Sequence, residues 1–333
     1  MNRRPLFTKK LGKPYYGTKL GRAYMGDSLD LLKLIPDESI NLVITSPPFA
    51  LRRKKQYGNV SHEKYIDWFM PFAREIRRVL RKDGSFVLDI GGVWNKGEPT
   101  RSLYHFKLAL ALCEDGKLFK LAQEFYWYNP AKLPAPAEWV NIRRIRVKDA
   151  VNPVWWMSKL AYPKASNRRV LSPYKQSMLK LFRNGYNAGS RPSEHNISDK
   201  WGRDNGGAIP PNILNISNLL SASNTKSFDG YLESCRKLGI KVHPARFVEF
   251  VPEFFVKFLT TPGDVVLDPF SGSNVVGAIA EKLQRRWLSF ELSEEYLRGS
   301  FFRLDHAIAL DPSLKKFLKD KHIMKKSIYV RSE

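Results

Sequence analysis

The amino-acid sequence predicts a doubly wound α/β fold, in which helices cover both faces of a mostly parallel sheet. Short apolar runs alternate along its 333 residues with segments whose apolar residues recur at helical spacing. Two of these runs, 40–45 and 265–267, end directly in turns rich in Ser, Pro and Gly. The glycine turn lies so close to the C-terminus that too little chain follows it to complete a sheet. We therefore expect a sheet assembled from both ends of the chain.

The first 160 residues supply most of the predicted strands. Strongly apolar stretches indicate strands, apolar positions three and four residues apart indicate helices, and Ser28 is a candidate helix cap. The predicted strands are 23–25, 40–45, 85–90, 121–128 and 151–157, and the predicted helices are 29–34, 65–81 and 103–113. The last two strands are expected to face each other across a loop rich in Pro and Arg.

Periodicity fades in the middle of the chain, where Gly, Asn, Ser, Pro and basic residues dominate. This stretch is either a loop-rich small module or partly disordered, and its Trp and Tyr residues favour a folded module. Regular patterns then predict helices at 252–259, 275–283 and 296–310 and strands at 265–267 and 287–290. We therefore divide the chain into a first half-domain (1–160), an insert (161–240) and a second half-domain with a basic tail (241–333).

Composition indicates a polyanionic partner. The formal net charge is +24 and 13% of the residues are aromatic, which favours nucleic acid or an acidic membrane surface. No apolar run approaches the roughly 18 residues of a membrane span, and the basic N-terminus lacks an apolar signal core. Two cysteines allow neither a disulfide framework nor a Cys-based metal cluster. We expect a cytoplasmic, metal-free protein that binds nucleic acid through two basic clusters, Arg52, Arg53, Lys54 and Lys55, and Arg143, Arg144 and Arg146.

The turn after the predicted strand at 265–267 has the features of a nucleoside-binding half-site. Asp268 ends the strand, and Gly272 allows a ligand to approach the backbone. Ser273 or Asn274 can cap the next helix, whose free N–H groups can hold a polar or anionic group. Glu291 ends the next apolar run, where an acid can accept both hydroxyls of a ribose. Alone, this pattern also fits a structural turn followed by an exposed acid.

The second candidate site is Ser46-Pro47-Pro48-Phe49, which follows the carboxyl end of the strand at 40–45, where open α/β sheets bind ligands. The two prolines remove two N–H donors, which leaves the serine hydroxyl and backbone carbonyls as acceptors beside an aromatic ring. This set suits a planar group with an exocyclic amine, such as a nucleobase flipped out of a duplex. Acceptors that bind the amine protons favour a pyramidal, more nucleophilic nitrogen. A Pro-Pro pair that merely ends a strand is the alternative.

Together, Thr45-Ser-Pro-Pro-Phe49 and Asp268-Pro-Phe-Ser-Gly-Ser273 resemble the catalytic and cofactor motifs of amino-methylating DNA methyltransferases. Their order, with the catalytic motif first, is similar to that of the β subgroup. The likeness covers nearly the whole chain, through the stretches 26–28, 84–89, 154–156, 204–207, 243–247 and 252–255. It implies a Rossmann-like, S-adenosylmethionine-dependent methyltransferase sheet with permuted motif order, in which 161–240 is the inserted target-recognition region.

The resemblance also implies roles for single residues in cofactor binding. Phe270 and Gly272 would shape the S-adenosylmethionine pocket, Glu291 would bind the ribose hydroxyls, and Asp27 would accept from the adenine amino group. The stretch that ends at Phe247 would close over the methionine part. The family usually has a second glycine followed by Thr-Thr where Asn274, Val275 and Val276 stand here. Since Asn tolerates left-handed backbone geometry, we expect altered contacts rather than lost binding.

For the target base, the resemblance implies that Ser46, Pro47 and Phe49 hold it, and that Asp89 orients Ser46 or lies on a proton path. A strand-end acid bonded to loop N–H groups is the alternative for Asp89. The family tends to use Ser before Pro-Pro for cytosine N4 and an acidic residue for adenine N6. We therefore expect methyl transfer from S-adenosylmethionine to the N4 amine of a flipped cytosine in double-stranded DNA, in a type II restriction–modification system.

The alternatives to this expectation differ in the methylated atom, in the nucleic acid substrate or in the class of protein. Adenine-N6 methylation is the alternative within the class, and RNA is disfavoured as substrate by the large insert. Cytosine-C5 methylation needs a thiolate, usually after Pro, whereas Cys113 and Cys235 follow Leu and Ser. A non-catalytic DNA-binding protein on the same fold would not need an intact Ser46-Pro-Pro-Phe motif with Glu291. A nicotinamide oxidoreductase is disfavoured by strand order and charge.

Overall fold

The computed structural model describes residues 9–50, 60–130, 132–185, 189–198, 202–214, 230–304 and 309–321. The strands are, in chain order, β1 (Tyr16–Gly17), β2 (Gly21–Met25), β3 (Ile40–Thr45), β4 (Leu80–Asp89), β5 (Lys120–Tyr128), β6 (Val151–Ser158), β7 (Gly189–Ser190), β8 (Asn196–Ile197), β9 (Ile213–Leu214), β10 (Val265–Asp268), β11 (Arg286–Glu291) and β12 (Ala309–Leu310). The α-helices are α1 (Ser28–Lys33), α2 (Tyr65–Val79), α3 (Tyr104–Leu110), α4 (Gln176–Asn184), α5 (Gly230–Leu238), α6 (Phe250–Leu259), α7 (Val275–Lys282), α8 (Glu294–Ser300) and α9 (Pro312–Asp320).

The main sheet has the strand order β12-β1-β2-β11-β10-β3-β4-β6-β5-β9. Its five central strands, from β2 to β4, are parallel, so their carboxyl ends lie at one edge. In this block β10 and β11, from the end of the chain, are inserted between β2 and β3, from its beginning. The expected assembly of the sheet from both ends of the chain is therefore confirmed.

Both faces of the sheet are covered, which explains the continuous apolar runs of its central strands. Val43 and Leu267 point to the layer that contains α1, α2 and α3, whereas Leu42, Ile44 and Val266 point to the layer of α6 and α7. Aromatic side chains fill much of both layers, such as Phe69 and Phe86 on one face and Phe255 and Trp287 on the other. Each fully buried large apolar side chain contributes about 1.5–3 kcal/mol of transfer free energy.

Most strand predictions are confirmed, and β5 pairs with β6 as expected, in antiparallel orientation. The first helix cap was predicted wrongly. Asp27, not Ser28, caps α1 by accepting from the Leu29 and Asp30 N–H groups at 2.8 and 3.3 Å. The Ser28 hydroxyl instead points inward and donates to the Pro269 carbonyl, because it lies on the buried side of α1.

The predicted helix at 296–310 is confirmed only as far as Ser300. Helix α8 ends at Ser300, a 3-10 turn follows at Phe301–Arg303, and 309–310 forms a strand that pairs with β1. Sheet pairing at the edge therefore overrides the local helical pattern. The predicted helix at 103–113 is an α-helix only to Leu110 and continues as the π-helical segment Ala111–Asp115.

The described part of the insert is tied to the rest of the fold at three places. Near its beginning, Arg169 donates to the backbone carbonyls of Lys257 and Phe258 at the end of α6. Strand β9 pairs in parallel with β5 and extends the sheet edge. Helix α5 buries Tyr231 and Cys235 against Gly299 of α8. Between these anchors, α4 and the β7–β8 ribbon are exposed.

Asn274 stabilises the turn that joins β10 to α7. Its backbone is left-handed, with φ of 53° and ψ of 42°, as the tolerance of Asn for this geometry predicts. Its fully buried carboxamide accepts from the Gly277 N–H at 3.1 Å and the Ser289 hydroxyl at 2.6 Å, and donates to the Tyr16 hydroxyl at 2.9 Å. Asn274 is therefore the cap of α7 and the connection between three elements.

We predict that Asn274→Ala lowers the free energy of unfolding by about 2–4 kcal/mol, since it removes a helix cap and leaves two buried hydroxyls with one partner fewer. Urea unfolding followed by circular dichroism measures this change. The matched control is Asn205→Ala, in an exposed loop, for which we expect a change within about 0.5 kcal/mol. Equal stabilities of the two variants would contradict the structural role of Asn274.

Candidate active site

The carboxyl ends of the central strands bring the predicted site residues to one edge of the sheet. Glu291 ends β11, Asp268 ends β10, Ser46 follows β3 and Asp89 ends β4. A cavity of about 250 Å³ opens beside them. The predicted residues on its wall are Asp27, Ser46, Pro47, Pro48, Phe49, Phe247, Asp268, Phe270, Gly272, Ser273 and Glu291. The two sequence motifs therefore share one cavity.

The glycine turn and Glu291 form the first polar part of the wall. Gly272 has a φ of 48°, and a Cβ atom there would lie 3.0 Å from the His243 ring, so both the backbone and the space favour glycine. The Gly272 N–H donates to Glu291 Oε2 and the Ser293 N–H donates to Oε1, both at 2.8 Å. Each carboxylate oxygen keeps a lone pair for a further donor. Burial raises the pKa of Glu291.

Asp268 connects the two motifs. Its Oδ1 accepts from the Thr45 hydroxyl at 2.7 Å and from the Phe270 N–H at 3.0 Å. Burial raises the pKa of Asp268 to about 7, against the opposing effect of these hydrogen bonds. Asp268 therefore fixes the start of the glycine turn relative to the strand that leads into Ser46.

An aromatic slot forms the apolar part of the wall. The Phe270 ring lies 5.8 Å from Trp68 and 5.1 Å from Phe72, measured between ring centroids, and all three line the cavity. The sequence predicted Phe270 but not Trp68 or Phe72, because their helical spacing on α2 is also that of core residues. Flat apolar walls of this kind suit a planar ring.

Of the other predicted cofactor-binding residues, Asp27 and Phe247 lie on the cavity wall, whereas Asn274 does not. Asp27 is exposed at the mouth and its cap bonds use only Oδ1. Phe247 lies on the wall, as do His243 and Ala245 from the same stretch. Asn274, in contrast, is fully buried behind the turn and is not part of the wall, because its side chain is directed into the junction of α7 and β11.

The second polar part of the site is a hydrogen-bond chain through Ser46. The Ser46 hydroxyl donates to Asp89 Oδ2 at 3.0 Å, and Trp127 Nε1 donates to Asp89 Oδ1 at 3.2 Å. Asp89 is buried behind Ser46, and this burial raises its pKa to about 7. The acid is thus bonded to one side chain that follows β3 and to another on β5, and no bond from a loop N–H group to it occurs among the described residues.

Phe49 is positioned by Gly91, a residue that the sequence did not single out. A Cβ atom at Gly91 would lie 2.6 Å from the Phe49 ring, so any larger residue there would displace the ring. Trp127 was also not predicted as a site residue, because its partner Asp89 is 38 positions away in the chain and on a non-adjacent strand. Close packing between distant segments leaves no local sequence signal.

Two observations show that the cavity fits a nucleoside-containing cofactor. The Ser271 hydroxyl is buried on the wall and has no hydrogen-bond partner within the described ranges, so a polar ligand group can satisfy it. The aromatic slot and the two acceptor oxygens of Glu291 match a planar base and a ribose diol. No cluster of His, Cys, Asp or Glu suited to a metal ion occurs in the described part of the chain.

The predicted DNA-contact residues fall into two groups. Arg143, Arg144 and Arg146 are exposed on the loop that connects β5 to β6. The other cluster, Arg52 to Lys55, lies outside the described residues. Among the helices that the structure describes, none is both long and apolar enough to span a membrane.

The sequence comparisons identify the class of protein. The family model of the DNA methylases (N6_N4_Mtase) matches residues 40–302, and the chain therefore belongs to this family. Its members are S-adenosylmethionine-dependent methyltransferases, which confirms the predicted fold class, cofactor and enzyme class.

Individual relatives and a solved structure show which members of the family this chain is similar to. The type II methyltransferase M.PvuII of Proteus hauseri is 52% identical over 311 residues, which cover 92% of this chain and 88% of the relative. The solved structure of the cytosine-N4-specific PvuII DNA methyltransferase matches with a TM-score of 0.71 and 43% identity, over 97% of this chain and 99% of that one. M.ScaI of Streptomyces caespitosus is 28% identical over 303 residues, or 89% of this chain and 85% of the relative.

We predict that Glu291→Gln weakens binding of S-adenosylhomocysteine about tenfold to a hundredfold. A carboxylate accepts charge-assisted hydrogen bonds of about 1.5–3 kcal/mol, and the amide has one acceptor where the carboxylate has two. Isothermal titration calorimetry measures the affinity, with Glu295→Gln as the control, because Glu295 is exposed on α8 and does not line the cavity. Unchanged affinity in Glu291→Gln would show that Glu291 only fixes the glycine turn.

Proposed function

We propose that the chain methylates the exocyclic N4 amine of cytosine in double-stranded DNA, as the modification enzyme of a type II restriction–modification system. The observation that carries this proposal is that Ser46, rather than an acidic residue, precedes Pro-Pro-Phe on the wall of the cavity that also contains Gly272 and Glu291. The likeness to the cytosine-N4-specific PvuII enzyme supports the same base. S-adenosylmethionine, when bound, supplies an activated methyl group.

The residues around Ser46 bind and orient the target amine in this proposal. The serine oxygen accepts from the amine while its own proton is donated to Asp89, and the Pro47 carbonyl is the second acceptor. Phe49 provides a flat face for the flipped base, and the close approach of Gly91 restricts the position of its ring. The transfer is a direct displacement, so the protein needs no covalent intermediate. Its task is alignment of the reacting atoms.

The same hydrogen-bond chain provides a route for the proton that the amine must lose. As the nitrogen becomes tetrahedral, a proton can pass to Ser46 Oγ while the Ser46 proton passes to Asp89 Oδ2. A pKa near 7 allows Asp89 to be ionised at neutral pH and still to accept a proton. Trp127 occupies the other carboxylate oxygen, which holds Asp89 in one orientation.

Genome sequencing tests the proposed function directly. The chain is expressed in a host without endogenous DNA methylation, and the DNA is read by a method that reports N4-methylcytosine. We expect N4-methylcytosine at one recognition sequence, and the likeness to M.PvuII leads us to expect a palindrome similar to CAGCTG. Methylation at adenine N6 would overturn the choice of base. Unmodified DNA would favour a non-catalytic DNA-binding protein on this fold.

We propose further that residues 161–240 select the sequence and that 1–160 and 241–333 carry the catalytic and cofactor halves. The exposed elements of the insert, which are α4 and the β7–β8 ribbon, support this division because they leave surface available for DNA.

A type II system also implies a cognate endonuclease encoded nearby, without direct contact between the two enzymes. The methyltransferase itself would be located in the prokaryotic cytoplasm, bound to the DNA of the nucleoid.

We predict that Ser46→Ala retains cofactor affinity and loses about 10²–10³ in turnover, as single oxyanion-hole donors do. The loss should appear in kcat rather than in KM, because the bond matters most as the amine nitrogen becomes tetrahedral. Steady-state methyl transfer to a duplex oligonucleotide measures both constants. The control is Ser39→Ala, at the opposite end of β3, where the hydroxyl donates only to the Pro36 carbonyl. Near-normal turnover would show that the Pro47 carbonyl and Phe49 suffice.

Turnover should also depend on pH through Asp89. Burial raises its pKa to about 7, so the proton-accepting carboxylate predominates only above that pH. We therefore expect kcat to rise with pH through neutrality and to reach a plateau in mildly alkaline solution. Asp89→Asn should flatten this rise and lower kcat less than Ser46→Ala does. A wild-type rate that is independent of pH would exclude Asp89 from the proton path.

A further inference from the structure

The loop between β5 and β6 leaves the sheet beside the catalytic motif. Strand β6 is antiparallel to β4, and β5 is antiparallel to β6, so β5 ends and β6 begins at the edge that carries Asp89. Trp127, one residue before the end of β5, is bonded to Asp89 itself. The loop therefore starts beside the residues that hold Ser46.

The foot of the loop is fixed to the protein by polar contacts. Arg101 and Asp149 form an ion pair of 2.6 Å, and the Arg146 Nε donates to the Pro99 carbonyl at 3.0 Å. Lys148 donates to the Pro130 carbonyl at 2.7 Å, and Lys132 donates to Asn152 at 2.9 Å. These contacts give the loop a defined position relative to the catalytic strand.

The outer part of the loop, residues 138–148, is here called the tip and has its own internal structure. It begins with the helical turn Glu138–Ile142, and the Ile145 N–H then donates to the Trp139 carbonyl at 3.0 Å. Arg143 lies 5.0 Å over the Trp139 ring and binds Glu138 at 2.7 Å. The tip is therefore ordered before any partner binds, which lowers the entropy lost on binding.

The tip exposes aliphatic side chains between basic ones. Ile142, Ile145 and Val147 are 70%, 49% and 88% exposed. Arg143, Arg144, Arg146 and Lys148 alternate with them along the chain. Three exposed aliphatic side chains close together in the chain offer apolar contact area, and the surrounding positive charge favours a polyanion as the partner.

We propose that the tip enters the DNA beside the target base pair and that Ile142, Ile145 and Val147 fill the space left by the extruded base. The inference rests on the proposed function, because only an enzyme that extrudes its target base leaves such a space. Aliphatic side chains are used as wedges between base steps by proteins that deform DNA. Arg144 of the tip, which takes no part in these contacts of the loop, would contact a flanking phosphate.

The test compares two duplexes that contain the methylated sequence. In one the target cytosine is paired with guanine, and in the other it is mispaired with adenine, which lowers the cost of extrusion. The triple variant Ile142→Ser, Ile145→Ser, Val147→Ser should lose about tenfold or more in kcat/KM on the paired duplex. On the mispaired duplex it should stay within about threefold of the wild-type chain. The melting temperature and S-adenosylhomocysteine affinity of the variant confirm that it is folded.

Matched variants separate extrusion from plain DNA binding. Leu160→Ser, with a side chain 49% exposed beyond the far end of β6, should leave both duplexes unaffected. Arg144→Gln should weaken binding of both duplexes equally and reduce the salt dependence of the affinity. A cytosine analogue that becomes fluorescent when unstacked, placed at the target, should respond to the wild-type chain and less to the triple variant.

Each remaining outcome decides against the proposal. An equal loss on the paired and mispaired duplexes would show that the tip only binds DNA, and no loss on either would remove it from the reaction. In both cases the proposed function would still hold, because the wild-type chain would be active. A wild-type chain that methylates neither duplex nor any other DNA would overturn the proposed function, and the role of the tip with it.

Discussion

The hydrogen bond from the Thr45 hydroxyl to Asp268 joins two motifs that are 223 residues apart in the chain. It is possible only because β3 and β10 lie side by side and parallel, so that both end at the same level of the sheet. Both partners are buried, and the bond therefore forms in a low-dielectric interior, where a hydrogen bond is electrostatically stronger than in water. The glycine turn and the Ser-Pro-Pro-Phe turn therefore line one cavity. Transfer between a cofactor and a base then requires only that the two are aligned within this cavity.

The same edge of the sheet concentrates buried acids in a protein with a net charge of +24. Burial raises the pKa of Asp89, Asp268 and Glu291, and hydrogen bonds from neighbouring groups oppose this rise in each case. The basic residues Arg143, Arg144 and Arg146 of the β5–β6 loop, in contrast, are exposed. Hydrogen-bond acceptors are thus kept inside, while the positive charge of this loop stays in water.

The antiparallel addition of β6 and β5 next to β4 links these two regions. It lets Trp127 reach Asp89 and places the foot of the β5–β6 loop at the active-site edge. Strand β9 continues this extension with a segment of the insert. The β5–β6 loop and a segment of the insert are therefore connected to Asp89 through the sheet itself.

The sequence by itself determined the fold class, the central strands, both motifs and the left-handed turn at Asn274, because periodicity, Gly, Pro and Asn constrain the backbone locally. It also assigned most of the cavity wall through the resemblance of the two motifs to a family. Only the tertiary structure showed that Trp68 and Phe72 complete the aromatic slot, that Trp127 holds Asp89, and that β12 replaces a helix. These features depend on contacts between segments that meet only after folding, and a contact of that kind is set by strand register and packing.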